Sequence, residues 1–440
     1  MIKKLWLILF TIIIALSFAC VNPGGDDGKD KEEDEDKKTE QKKTGQDEVF
    51  TRPDLGNDGI NEGKAYGWNA GNLGALTATI TGNVTSAQYF YAQGLDSGWN
   101  AGNSLDGSPT ETSWGNPALN QALFNGVKAQ GFRVVRIPIR WADKIGSTPP
   151  YTVDSAYLDR VAEVVGYAHS AGLVAIIDSH HDDSGNPWNL SSAATNQSNY
   201  DTITARFTAL WTQIATKFQS YGEWLIFEPL NEPRVGDSWN NAPNNNQQIY
   251  DILNQWNQAF VTAVRNTGGN NAHRYLMVKG YAAKPKRVID KLVLPTDTSP
   301  SKLILDFHYY DPEGFCLTGN MFEWTVEDNG SRIRYDFEDV LIKFKDKGLP
   351  VIIGECGASY QGARTGVDAT TANESRLAYH EYLARVARGN GFTPILWDNG
   401  SNSNKNSENS GLFNRTTGAP NSTISKAAID AFIGGIRADK

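Results

Sequence analysis

From residue 98 to residue 436 the chain alternates two hydrophobic patterns. Short apolar runs of the length of a buried strand give way to longer stretches whose apolar positions recur every three or four residues, as on one face of a helix. The runs predict strands at 98–103, 133–139, 173–178, 223–230, 275–279, 303–308, 351–354 and 393–397. The longer stretches predict a helix after each strand: 117–130, 154–172, 200–220, 246–266, 285–292, 333–347, 373–389 and 423–436. Asn116 followed by Pro117 reads as an N-cap and first helical position, and Asp154 as the cap of the second helix. Eight strand–helix units in series predict the α/β class, as a parallel (β/α)8 TIM barrel with its chemistry at the carboxyl ends of the strands.

The pattern differs ahead of the barrel. Lys3 and Lys4 precede an apolar run, Leu5 to Ala19, that stops at Cys20. The run is short for a membrane span and has the flanks of a signal peptide. Cysteine directly after Leu16-Ser17-Phe18-Ala19 resembles a bacterial lipoprotein signal, in which the cysteine becomes the lipidated first residue. Ser17 departs from the usual branched residue there, and ordinary signal cleavage is the alternative. Residues 21–50 form a charged linker with six Lys against eleven Asp/Glu between Val21 and Glu48, a composition that stays solvated. In 51–97, Thr77–Thr85 reads as strand, Gly-Asn turn and strand, an N-terminal β-hairpin extension packed on the barrel. The hexapeptide Gly67-Trp68-Asn69-Ala70-Gly71-Asn72 recurs as residues 98–103; two copies are too few for a repeat architecture. These expectations place the barrel in 98–440 and the protein outside the cytoplasm, lipid-anchored through Cys20 or secreted.

Composition narrows the function. The net charge is −9, which argues against nucleic acid as a partner, and more than half of it sits in the linker. The chain holds 12 Trp, 17 Tyr and 18 Phe, which serve core packing first and sugar stacking second. No Cys/His spacing indicates a metal site or calls for a cofactor. Cys316 and Cys356 could pair if adjacent barrel loops carry them, but free, partly buried thiols are the favoured reading.

The strand ends carry the chemistry. They collect Asn103, Arg136, His180, His181, Asn231, Glu232, His308, Tyr310, Glu355 and Trp397. Three of the six histidines fall there, more than packing requires. Glu232 ends the fourth strand in Asn-Glu-Pro, and Glu355 ends the seventh in Gly-Glu-Cys-Gly. Two carboxylates on two buried strands are the minimum equipment for cleaving a glycosidic bond. Glu228, four residues before Glu232, is assigned to a buried network inside the barrel. Trp114, Trp141, Trp188, Trp239 and Trp324 lie in loops after strands, each a sugar platform or a cover of the barrel top, with Trp114 the favoured platform.

These residues resemble glycoside hydrolase family five over roughly 98–436. Arg136 in Val-Val-Arg-Ile-Pro fits the second-strand arginine, and His180 or His181 the third-strand histidine. Asn231 and Glu232 fit the Asn-Glu-Pro signature, His308 and Tyr310 the His-x-Tyr pair, Glu355 the nucleophile and Trp397 the eighth-strand tryptophan. Cys356 stands where the family usually has Phe. Gly98-Trp99-Asn100-x-Gly102-Asn103, Glu111-Thr112-x-Trp114-Gly115-Asn116-Pro117 and Trp397-Asp398-Asn399-Gly400 resemble subfamily four, mostly endo-β-1,4-glucanases with xyloglucanases and mixed-linkage glucanases among them.

The resemblance implies an endo-acting, retaining β-glycosidase on β-glucan, monomeric and without a cofactor, with Glu355 attacking and Glu232 as acid/base. Arg136 and Tyr310 are expected to keep Glu355 ionised, and His308 with burial to keep Glu232 protonated. Asn231 is expected on the sugar 2-OH, with Trp397, Asn103 and Trp114 binding substrate. Xyloglucan or mannan on the same scaffold is the nearest alternative. A surface lipoprotein that binds glycans without cutting them is another, disfavoured because both glutamates are present.

Overall fold

In the computed structural model, which describes residues 94–181, 187–344, 347–362, 364–401 and 409–437, the eight predicted runs pair into one closed parallel barrel in sequence order. The strands are β1 Gly98–Asn100, β2 Val134–Ile137, β3 Val174–Ile177, β4 Leu225–Phe227, β5 Leu276–Lys279, β6 Leu303–Tyr309, β7 Val351–Cys356 and β8 Phe392–Leu396. The signal-like segment, the linker, Cys20 and the expected hairpin lie outside the described residues.

The helices are α1 Gln121–Ala129, α2 Ser155–Ser170, α3 Leu190–Ala193, α4 Gln197–Lys217, α5 Gln247–Asn266, α6 Pro285–Lys291, α7 Ser331–Phe344, α8 Ala369–Gly389 and α9 Thr423–Arg437. Short polar side chains start them by accepting orphan N–H groups. Asp154 caps α2, Asn196 α4, Asn246 α5 and Asp368 α8. In α2 the buried Leu158, Val161, Val164, Val165 and Ala168 form one face at helical spacing.

The expected start of the first helix is corrected. α1 begins at Gln121 and is capped by Asn120. Asn116 instead donates from Nδ2 to the carbonyls of Asn103 at 2.8 Å and Asn399 at 3.0 Å. It ties the loops after β1 and β8 together, a tertiary demand that overrides the local Asn-Pro signal. The four-residue α3 and the π-helical turns Gly314–Thr318 and Val326–Gly330 after β6 are too short to leave an amphipathic period in the sequence.

Parallel register places polar and charged side chains side by side. Asn100 pairs with Arg136, Lys279 with Asp306 and His308 with Glu355. Arg136, Asp178, Glu228, Lys279 and Asp306 are all fully buried. Burying ions is costly unless each finds partners, so the barrel must hold them as a network. Between β6 and β7 the register skips Gly354: Phe307 faces Ile353, and the next pair is His308 with Glu355. A bulge of this kind bends a strand and re-aims a side chain. A Cβ on Gly354 would lie 2.6 Å from Asp306 Oδ1 and 3.1 Å from His308 Nε2, so only glycine fits beneath them. Its N–H donates to Asp306 Oδ1 at 2.9 Å.

Candidate active site

Arg136 is the hub. Its Nε and Nη2 donate to Glu228 at 2.7 and 2.9 Å. Nη2 also reaches Asp178 Oδ2 at 2.7 Å and Asn231 Oδ1 at 2.8 Å, and Nη1 reaches Asn100 Oδ1 at 3.1 Å and Glu355 Oε1 at 2.9 Å. Fully buried, the guanidinium has its donors occupied and its charge shared among carboxylates. Glu228 lies in the barrel network as expected. Burial would raise its carboxyl, but Arg136 and Lys279 pull it down to about 2.

Glu355 is held from both sides. Arg136 donates to Oε1, and Tyr310 Oη donates to Oε2 at 3.0 Å. Burial is nevertheless the largest influence and lifts its carboxyl above the ordinary range, with Arg136 and Tyr310 opposing the rise. The expected donors are in place, but they offset desolvation rather than leaving a depressed carboxyl.

Glu232 faces this group from the loop that follows β4. His308 Nδ1 lies 2.9 Å from Glu232 Oε1 and 3.7 Å from Glu355 Oε2. A carboxylate oxygen of Glu232 comes within 4.8 Å of one on Glu355. Burial, with Lys279 and Arg136 nearby, holds His308 far below the usual imidazole range, hence neutral. The neutral imidazole sets no positive charge beside Glu232, whereas Arg234 Nη1 lies 4.0 Å from its Oε2.

The adjacent histidines part company. His180 is buried, with Nδ1 2.7 Å from Asp178 Oδ2 and Nε2 3.9 Å from Glu355 Oε1. His181 takes a left-handed φ of 58°, and its ring stands at 86° to that of His180. Its Nε2 lies 3.5 Å from the buried Asp106. His180 is therefore the histidine at the carboxylate pair. Trp397 lies parallel to the His180 ring at 6.0 Å between centroids. A Cβ on Gly102 would come 2.6 Å from its indole, which accounts for glycine in the first-strand motif.

Asn231 is buried, its Oδ1 fixed by Arg136, so its amide N–H groups are left for other acceptors. Asn103 lies in the loop after β1 in a left-handed conformation with φ 54°, its backbone N–H donating to Asp106 at 3.1 Å. Trp114 is 42 % exposed and meets His181 edge-on at 5.3 Å. Glu111 steadies its loop by accepting from Arg160 twice at 3.0 Å. Trp141, Trp188 and Trp324 are buried and belong to the packing. Trp239 is partly exposed and lies under the Arg234 guanidinium at 3.5 Å. Cys316 and Cys356 are free, buried thiols, and Cys356 Sγ reaches the Ile395 carbonyl at 3.4 Å.

Asp178, Asp306 and Lys279 join this network without any motif in the sequence to mark them. The available signal was a charged residue in or ending an apolar strand, which in a barrel must face inward among partners. Three clusters among the described residues bring ligand-type atoms within 4.8 Å of one another: Asp106/His180/His181, Glu228/Asp306/His308 and Glu232/His308/Glu355. In the second, the Lys279 ammonium already sits among the acceptors, with hydrogen bonds to Asp306 and His308 and an ion pair to Glu228.

A parallel barrel with glutamates facing each other after β4 and on β7, and an aromatic directly after β8, is the arrangement of a glycoside hydrolase. Residues 99–403 match the family model for cellulase, glycosyl hydrolase family 5. The chain is 35% identical over 359 residues to endoglucanase B of Clostridium cellulovorans, covering 78% of this chain and 76% of that protein. It is 33% identical to a xyloglucan-specific endo-β-1,4-glucanase of Bacteroides ovatus, covering 76% and 68%. Among solved structures, a GH5-4 broad specificity endoglucanase from Bacteroides salanitronis superposes with a TM-score of 0.74 at 36% identity, over 82% of this chain and 97% of that one. The chain belongs to glycosyl hydrolase family 5, subfamily 4, and is an endoglucanase-like, endo-acting glycoside hydrolase.

Proposed function

We propose that the enzyme cleaves internal β-1,4 linkages of glucan, as cellulose or mixed-linkage β-glucan, by double displacement with retention of configuration. The observation that carries this reading is the approach of Glu232 and Glu355 carboxylate oxygens to within 4.8 Å. Retaining glycosidases hold the pair about 5–5.5 Å apart, whereas inverting ones leave about 6.5–9.5 Å for a water.

In the first step a Glu355 oxygen bonds to the anomeric carbon as its bond to the glycosidic oxygen breaks, and Glu232 gives that oxygen its proton. In the second, water attacks the anomeric carbon, Glu232 takes the water's proton, and the Glu355 ester bond breaks. Arg136 and Tyr310 stabilise Glu355 as a leaving carboxylate. Asn231, with its oxygen held by Arg136, offers N–H to the sugar 2-OH. Trp397 supplies the floor under the reacting sugar, with Asn103 and Trp114 further along the cleft. Arg136, His180 and His308 shape the pair without touching the breaking bond, and His181 flanks Trp114.

Xyloglucan is the second reading, favoured by similarity to the xyloglucan-specific Bacteroides ovatus enzyme. The amino-terminal lipoprotein-like signal supports an extracytoplasmic enzyme anchored through Cys20, acting as a monomer on β-glucan polysaccharide or oligosaccharide. Reducing-end release from cellulose, mixed-linkage glucan, xyloglucan and mannan tests the substrate, with fastest release from the first two expected. NMR of the first-formed anomer tests the stereochemistry. An α-anomer as first product, or turnover confined to mannan, would refute the proposal.

A further inference from the structure

Lys279 ends β5 with its side chain fully buried. An ammonium has three N–H donors and no acceptor. Three acceptors surround this one: Glu228 Oε1 at 2.6 Å, Asp306 Oδ2, and His308 Nε2 at 3.3 Å. Glu228 is further held by Arg136 and Asp306 by the Gly354 N–H, so both carboxylates are fixed by groups besides Lys279. His308 Nε2 sits 3.9 Å from Asp306 Oδ2, too far to donate to it. A proton on Nε2 would therefore point at another donor. On the far side of the ring, Nδ1 lies 2.9 Å from Glu232 Oε1.

We infer that Lys279 is a positioning residue for Glu232, acting through His308. Its ammonium holds His308 Nε2 as an acceptor, so the imidazole proton resides on Nδ1 and is donated to Glu232 Oε1. A carboxyl oxygen occupied in this way leaves the acid proton on Oε2. The lysine thereby selects which Glu232 oxygen protonates the leaving group, without touching substrate. The tautomer of a histidine is set by what its other nitrogen meets, and here that is a buried cation from the neighbouring strand. The inference rests on the acid/base reading of Glu232.

The tautomer is read directly by ¹⁵N NMR of histidine-labelled wild-type enzyme at neutral pH, with the His308 signals assigned by their loss in His308→Asn. An unprotonated Nε2 and a protonated Nδ1 are expected; an Nε2–H tautomer or an imidazolium overturns the inference. The second test compares kcat/KM, which reports the bond-breaking half, on polysaccharide and on a dinitrophenyl β-cellobioside whose leaving group needs no proton. Lys279→Met should lower the first about 100-fold, within the range of general acid catalysis, and the second less than about 10-fold. Equal losses on both substrates would reduce Lys279 to charge balance and overturn it. If Lys279→Met does not fold, Lys279→Met with Asp306→Asn removes the opposing charge and is held to the same comparison, and the wild-type NMR result stands by itself. Near-normal kcat/KM for Glu232→Ala on polysaccharide would refute the acid/base reading while leaving the tautomer result intact.

Discussion

Arg136 donates from Nη1 to Glu355 Oε1 at 2.9 Å while the rest of the same guanidinium binds Asp178, Glu228, Asn231 and Asn100. In the proposed mechanism the attacking carboxylate and the amide that meets the 2-OH thus depend on one buried cation. Arg136→Met should destabilise the enzyme by about 3–5 kcal/mol, the cost of leaving buried charges unpaired, and abolish most turnover. Denaturant unfolding beside activity measures both. A variant that kept wild-type stability would show that the network does not need its cation.

Tyr310 is the second donor to Glu355, at 3.0 Å from Oε2. Its hydrogen bond opposes a carboxyl already lifted by burial. Tyr310→Phe should let that carboxyl rise further, so the acid limb of kcat/KM moves to higher pH. The fold should survive, because Tyr310 is only partly buried. An unmoved acid limb would remove Tyr310 from the control of Glu355.

The raised carboxyl of Glu355 also bears on stability. A group whose folded pKa exceeds its unfolded value binds its proton more tightly in the folded state, so stability falls as pH rises from the unfolded to the folded pKa. Above that window the charged Glu355 costs stability. Glu355→Gln should therefore unfold later than wild type at neutral pH, with the gap closing below the ordinary carboxylate range. Thermal unfolding of both proteins across pH decides it, and a less stable Glu355→Gln at neutral pH would contradict the argument.

Trp114 and Trp141 should part company on mutation. Trp114 is 42 % exposed, whereas Trp141 is fully buried and donates to the Asp178 carbonyl at 2.9 Å. Trp114→Ala should change stability by less than about 0.5 kcal/mol and raise KM several-fold on long glucans. Trp141→Ala should cost about 3–5 kcal/mol. Paired melting curves and Michaelis constants on cello-oligosaccharides separate the two roles, and an unchanged KM for Trp114→Ala would deny it a place in the cleft.

The chain order of apolar runs was sufficient to determine the barrel, because eight buried strands alternating with one-faced helices have few other ways to cover their surfaces. It also placed Glu232 and Glu355 at strand ends, where any such barrel gathers its chemistry. What pattern could not supply was relative position. His180 and His181 are equivalent in sequence, and only the left-handed turn at His181 separates the one beside Glu355 from the one beside Asp106. Asn116 looked like a helix cap until the β1 and β8 loops claimed its amide. The bulge at Gly354 that pairs His308 with Glu355 leaves no periodic trace. Lys279, Asp306 and Asp178 resembled isolated charges in apolar strands. Their partners lie on other strands, far away in sequence, so register alone could show that these charges are paid for by one another and by Arg136.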